Sequence, residues 1–218
     1  KRTIEDLFDA GHKKIVLEDF VVGQEFSYYV ITDGYNAMPI NSVVPYKAVL
    51  EGNGGSLTSG LGAFTPFYMI DRNLEGRIFK EVIYPALDEL AKSGNQYVGI
   101  LGIDIILDRN GGLNVIEFNP FFKEPDAQCV LNLFDENLLR VMCAAITGSL
   151  VDEYSELSAK PLYSTSVVLS AGAYPNEGEY GEVLKGFDEV EEHCDVAYFN
   201  TVKDVNGNML TNGGRVAI

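Results

Sequence analysis

One stretch constrains the fold of this chain more than any other: Gly102-Ile103-Asp104-Ile105-Ile106-Leu107, then Asp108-Arg109-Asn110-Gly111-Gly112, then Leu113-Asn114-Val115-Ile116-Glu117-Phe118-Asn119-Pro120. Two apolar runs around an Asn-Gly pair predict a β-hairpin with a two-residue type I′ turn, because both central positions of that turn need φ > 0. With Asn110-Gly111 as the turn, Arg109 faces Gly112, Leu107 faces Asn114 and Asp104 faces Glu117. Like charges directly opposite in a ladder are destabilising, and a divalent cation held between them reverses the penalty. Strand side chains alternate, so Asn119 shares the face of Glu117. Two carboxylates and an amide oxygen are hard ligands suited to Mg²⁺, which also keeps waters and substrate phosphates. Acids on a strand are most often a solvated face. Here Ile103, Ile105, Ile106, Val115, Ile116 and Phe118 make both strands read as buried, and buried acids are costly without partners. The hairpin therefore reads as a metal–nucleotide site.

The composition narrows the partners. The chain has 218 residues, 46% hydrophobic and 22% charged, with a formal charge of −16. That excess of acid argues against nucleic acid or an anionic membrane, both of which need basic patches. A phosphate-bearing ligand must then be held by metal, backbone amides or a few placed cations. No run of about 18 apolar residues is present, so no membrane-spanning helix is expected. Cys129, Cys143 and Cys194 lack metal spacing and read as reduced thiols of a cytoplasmic protein. His12 and His193 are the only histidines, which disfavours Ser-His-Asp or Cys-His catalysis. A chain that opens on Lys1 and closes on Val216-Ala217-Ile218 is expected to be a segment of a longer protein.

Along the chain the patterns predict an amphipathic helix over 2–10 and a short strand at Ile15-Val16-Leu17. They predict a hairpin from Phe26 to Ile40 turning at Asp33-Gly34, and a Gly/Ser/Thr-rich loop over 52–62. A helix is expected from Asp71, its N-cap, to Lys92 with a kink at Pro85. Another is expected from Ala127 to Thr147, stopped by Gly148. Beyond a boundary near 149–163, strands over 164–170, 195–201 and 215–218 read as a small β-rich domain. The loop at 52–62 reads as a phosphate cradle or, equally, as a flexible surface loop, since neither P-loop nor Rossmann fingerprint applies. Glu18-Asp19-Phe20, with Glu25 beyond, reads on its own as a solvated turn.

Together these pieces resemble the ATP-grasp superfamily and, within it, the phosphoribosylamine–glycine ligase family. The landmarks are Ile15-Val16-Leu17-Glu18-Asp19-Phe20, Gly23-Gln24-Glu25-Phe26-Ser27, Thr58-Ser59-Gly60-Leu61-Gly62-Ala63-Phe64-Thr65-Pro66 and Val115-Ile116-Glu117-Phe118-Asn119. Leu138-Leu139-Arg140-Val141, Ala171-Gly172-Ala173-Tyr174-Pro175 and Thr211-Asn212-Gly213-Gly214-Arg215-Val216 follow in order. The resemblance covers nearly the whole chain. It implies an α+β fold: the second half of an ATP-grasp core over 1–150, an antiparallel sheet with helices, then a small β-rich C-terminal domain over 151–218.

The resemblance further implies an ATP-dependent carboxylate–amine ligase of purine biosynthesis. ATP phosphorylates glycine and phosphoribosylamine attacks the acyl phosphate, with Mg²⁺ (or Mn²⁺) bridging the nucleotide phosphates. Glu117 and Asn119 would be metal ligands. Glu18, Asp19, Phe20 and Val21 would form the adenine hinge, with Glu25 near the nucleotide. Asp104 stands where the glycine ligases carry a small residue and many other ATP-grasp enzymes a metal-binding acid, so it is expected as a third ligand. Of the family's Gln-Asp-His-Lys only Lys47 remains, in Val44-Pro45-Tyr46-Lys47. Phe121 replaces an arginine that would contact the transferred phosphate, and Lys123 is the neighbouring substitute, although a point charge does not reproduce a bidentate fork. Lys47 and Lys123 are thus the expected catalytic cations. The substrates are small molecules, the assembly a monomer or homodimer, and this segment alone should not turn over. Two rival readings stand beside this one: an ATP-grasp ligase for a different acid and amine, and a non-catalytic nucleotide-binding homologue.

Overall fold

The computed structural model describes residues 2–176, 178 and 180–218. Helix α1 (Arg2–Asp9) ends at Gly11, whose φ is +91°. Residues 10–22 then run without helix or strand, so the strand expected at Ile15-Val16-Leu17 does not form. A strand needs a ladder partner for its N–H and C=O groups. Among the described residues this segment has none, and Val16 and Leu17 are 83% and 77% exposed.

The centre of the molecule is a six-stranded antiparallel sheet. Its strands are β1 (Gly23–Thr32), β2 (Ala37–Leu50), β3 (Gly54–Thr65), β4 (Gly99–Asp108), β5 (Leu113–Asn119) and β6 (Ser164–Val167), in the order β5-β4-β1-β2-β3-β6. The stretch expected as a loop over 52–62 is mostly β3, laddered to β2 with irregular register and glycines at positive φ (Gly55, Gly60). Glycine-rich composition here marks bulges rather than an unpaired loop. Strand β6 lies beyond residue 150 yet completes the edge of this sheet against β3.

The β4–β5 hairpin forms with Asp104 opposite Glu117, Ile103 opposite Phe118 and Gly102 opposite Asn119, as the register predicts. The turn differs. Leu107 faces Leu113, the Asp108 N–H donates to Gly112 O at 3.0 Å, and Gly111 takes φ +82°. The connection is therefore one residue longer than a two-residue turn, with glycine at the left-handed position such loops require. An irregularity between Asp104 and Ile105 restores the expected pairing at the acids. Strand β5 is an edge strand, so Val115, Ile116 and Phe118 are about 40–45% exposed rather than buried.

Helices pack on both faces. On one, α2 (Arg72–Ile78), α3 (Tyr84–Lys92) and the turn joining them bring Leu74, Ile78, Val82, Ile83 and Leu87 against Phe26, Tyr28, Ile103 and Ile105. The kink expected at Pro85 is a π-helical turn over Phe79–Ile83, where the N–H that proline lacks interrupts the α-helical ladder. On the other face lie α4 (Asp126–Leu133) and α5 (Leu138–Thr147). They replace the single helix expected over 127–147. Phe134 is extended (ψ 121°) and bridges Ala159, and the Asn137 side chain caps α5 by accepting from Arg140 N at 3.1 Å. Gly148 ends α5 at φ +74°, as expected. A short helix α6 (Leu150–Glu153) follows.

The remainder is β-rich. Strand β7 (Leu169–Ser170) pairs with β10 (Arg215–Ala217), and β8 (Thr201–Lys203) with β9 (Met209–Thr211), with helix α7 (Phe187–Glu191) between β7 and β8 in sequence. No helix among the described residues is long and apolar enough to cross a membrane.

Candidate active site

The polar end of the sheet face carrying α4 and α5 gathers the charged residues. Asp104 on β4 lies between Ser27 of β1 and Glu117 of β5. Its side chain is 1% exposed, and three donors reach it. Ser27 Oγ donates to Oδ1 at 2.7 Å, Lys123 Nζ contacts both oxygens at 2.5 Å, and Lys47 Nζ lies 3.3 Å from Oδ2. Lys47 also pairs with Glu25 at 2.5 Å. Burial opposes the charge on Asp104, but Lys123, Ser27 and Lys47 outweigh it and hold the carboxyl below its usual range. Burial likewise disfavours a charged Lys47, yet Glu25 and Asp104 raise its pKa on balance. The repulsion read from the hairpin register is thus met within the chain, by ammonium groups from β2 and from the connection after β5.

A second buried group lies behind the lysines. Asp126, at the first turn of α4, accepts from Tyr29 OH at 2.8 Å and stands 3.9 Å from Lys123 Nζ. Burial pushes its carboxyl upward despite the nearby ammonium. The Lys123 backbone N–H donates to Tyr29 OH at 3.3 Å, and the Tyr29 ring packs 5.1 Å from Phe122. This clamp fixes the Phe122–Asp126 segment and with it Lys123. Ser27, Tyr29 and Asp126 carry no sequence signal of their own. The pairing of β1 with β4 and the packing of α4 against β2, β3 and β6 bring them in.

Glu117 differs from Asp104. It is exposed, and among the described residues no lysine or arginine pairs with it; its one recorded partner is Asn119 Nδ2 at 3.3 Å. Asn119 is 8% exposed. An exposed carboxylate with a neighbouring amide is a donor set that fits Mg²⁺ once the amide presents its oxygen, the remaining positions ordinarily being water and phosphate oxygen. No cluster of three or more His, Cys, Asp or Glu residues suited to a metal forms among the described residues. The fit therefore rests on this pair.

A cavity of about 490 Å³ is lined by Phe20, Val21, Glu25, Tyr46 and Lys47 among others, and takes in none of Asp104, Glu117, Asn119 and Lys123. Of the expected hinge, Phe20 and Val21 reach it while Glu18 and Asp19 are exposed outside its lining. Phe20 itself is 93% exposed. Phe121, expected from the resemblance to stand in place of an arginine, is 55% exposed and offers no charge.

Comparison with known proteins places this arrangement. Residues 2–127 match the family described as phosphoribosylglycinamide synthetase, ATP-grasp (A) domain. A phosphoribosylamine–glycine ligase of Vibrio parahaemolyticus is 34% identical over 208 residues, 95% of this chain and 48% of the relative. One of Yersinia pestis is 35% identical over 210 residues, again 95% and 48%. The chain thus spans about half the length of the curated relatives it matches. In fold it resembles the crystal structure of phosphoribosylamine–glycine ligase from Thermotoga maritima, with a TM-score of 0.80 at 23% identity, covering 98% of this chain and 55% of that one. By this match and these relatives the chain belongs to the phosphoribosylglycinamide synthetase family, matching its ATP-grasp (A) domain over residues 2–127.

Proposed function

We propose that this chain supplies the metal and phosphate face of an ATP-dependent carboxylate–amine ligase, joining glycine to phosphoribosylamine through an acyl phosphate. The observation that carries the reading is the segregation of charge on one sheet face: a free Glu117–Asn119 pair beside two lysines held by a buried acid. Glu117 and Asn119 hold Mg²⁺, which when bound offsets charge on the phosphates. Lys47 and Lys123 present ammonium groups to the phosphoryl group in transfer. Such preorganised charges act where negative charge develops and need no reorganisation as it does. Phe20, Val21 and Glu25 line the cavity on the nucleotide side, and Glu18 and Asp19 complete the hinge from outside it. Residues up to 150, with β6 added at the edge of the sheet, form the ATP-grasp portion, and the strands beyond β6 the small β-rich domain. The relatives' names supply the two substrates. The three free thiols suit a reducing compartment such as the cytoplasm.

The test is ADP release by the full protein with Mg²⁺-ATP, glycine and freshly generated phosphoribosylamine, against mixtures lacking either substrate. Release that needs both supports the glycine ligase. Phe121 in place of the family arginine favours one second reading, a ligase of the same chemistry for another acid and amine. That reading predicts bound ATP with no stimulation by this pair. Absence of ATP binding would leave a non-catalytic homologue.

A further inference from the structure

Asp104 stands where a metal-binding acid is expected from the sequence, and its surroundings fit another task. A carboxylate offers about four acceptor sites. Ser27, Lys47 and Lys123 make four contacts to the two Asp104 oxygens, and the side chain is 1% exposed. A divalent cation entering here must displace an ammonium group, and the displaced charge would then face the cation at close range with no anion between them. Glu117 has no such competitor among the described residues. The two lysines also need an anchor. They arrive from separate places, Lys47 from β2 and Lys123 from the connection between β5 and α4. Each long side chain gives up much of its rotamer freedom when fixed.

We infer that Asp104 is a positioning residue, one buried carboxylate that tethers Lys47 and Lys123 side by side, and that Glu117 and Asn119 bind the metal without it. Glu25 steadies Lys47 from the cavity side, and Asp126 stands behind Lys123 at 3.9 Å. What the lysines then do rests on the reading of the site given above. The tether is a property of the chain itself.

The test uses Asp104→Asn in the full protein and two readouts. The first is the rate at which an amine-acylating reagent modifies each lysine, followed by mass spectrometry without any ligand. Freed of the carboxylate that holds them, Lys47 and Lys123 should both react faster, by up to roughly tenfold, the factor that losing one charge-assisted hydrogen bond corresponds to. Unchanged rates at both overturn the tether. The second is Mn²⁺ binding followed by electron paramagnetic resonance with a non-hydrolysable ATP analogue, with Glu117→Gln as the control that weakens it. Affinity in Asp104→Asn should stay within about twofold of wild type, and a loss of about tenfold, the size expected on losing a metal-site group, overturns the inference. Should Asp104→Asn not fold, Asp104→Asn/Lys123→Met removes the buried pair together, and an unchanged Lys47 rate there overturns it equally. If the wild type holds no Mn²⁺-nucleotide, the ligase reading fails while the acylation rates still decide the tether.

Discussion

At the scale of single residues, this site separates two acids that share a ladder rung. Glu117→Gln removes the free carboxylate and should cut Mg²⁺-dependent turnover by about 100-fold or more. Because lysines already neutralise Asp104, thermal stability should barely change; steady-state ADP release and a melting curve check the two parts. Ser27 is fully buried and donates to Asp104. A hydrogen bond to a charged group contributes about 1.5–3 kcal/mol, so Ser27→Ala should lower stability by roughly that amount at neutral pH. The pH dependence has a definite sign. The folded pKa of Asp104 lies below its unfolded value, so its charge-linked stability is present above the unfolded pKa, about 3.9. That contribution is lost as pH falls through the folded pKa. Urea unfolding of wild type and Ser27→Ala should therefore differ by a constant amount above about pH 4 and converge in stronger acid.

At the scale of elements, the hairpin and the helix over 72–92 show how local chemistry is adjusted by packing. Asp71 caps α2, its carboxylate accepting from Leu74 N at 2.7 Å. Asp71→Ala should cost about 1 kcal/mol, lowering the melting temperature by about 2–4 °C for a chain this size. Gly60 of β3 carries a sharper constraint. At φ +114° an added Cβ would lie 2.6 Å from Pro125 Cδ, in the segment that leads into α4. Gly60→Ala should therefore destabilise by more than about 1 kcal/mol and displace Lys123 as well. A drop in turnover larger than the fraction unfolded, measured on the folded population, would separate the two effects.

At the scale of the whole molecule, the β-rich C-terminal strands are tied to the site. Arg215 of β10 reaches the carbonyls of Ser59 and Glu124 at 3.4 Å, lies 3.8 Å from the Glu124 carboxylate and packs over the Phe199 ring. Tyr174 OH accepts from Ser59 N at 3.2 Å. The ion pair itself is worth little at the surface. The contacts nonetheless span 156 residues of sequence, from β10 to β3. Arg215→Ala should leave the six-stranded sheet intact while raising amide exchange in β7 and β10. Hydrogen-exchange mass spectrometry reads this directly, and equal protection in both proteins would show that the strands dock without it.

The sequence by itself determined the parts that depend on near neighbours. The alternating strands put Asp104 opposite Glu117 and Asn119 on their side, although the turn is one residue longer than the Asn-Gly signal predicts and an irregularity after Asp104 restores the pairing; Asp71 and Gly148 marked helix ends. The ordered motifs pointed to the family. Local pattern misled where pairing decides: glycines over 52–62 became a bulged strand, and the apolar Ile15-Val16-Leu17 stayed unpaired. It misled again at β5, whose apolar residues face solvent because it ended as an edge. Only the tertiary structure decided what surrounds Asp104. Ser27, Lys47 and Lys123 lie 77, 57 and 19 residues from it in sequence, on three separate segments. Their charges meet because β4 pairs with β1 and the β5–α4 connection folds back over the same face. A hairpin read alone shows two like charges on one rung, and the groups that neutralise one of them belong to elements with no local reason to be near it.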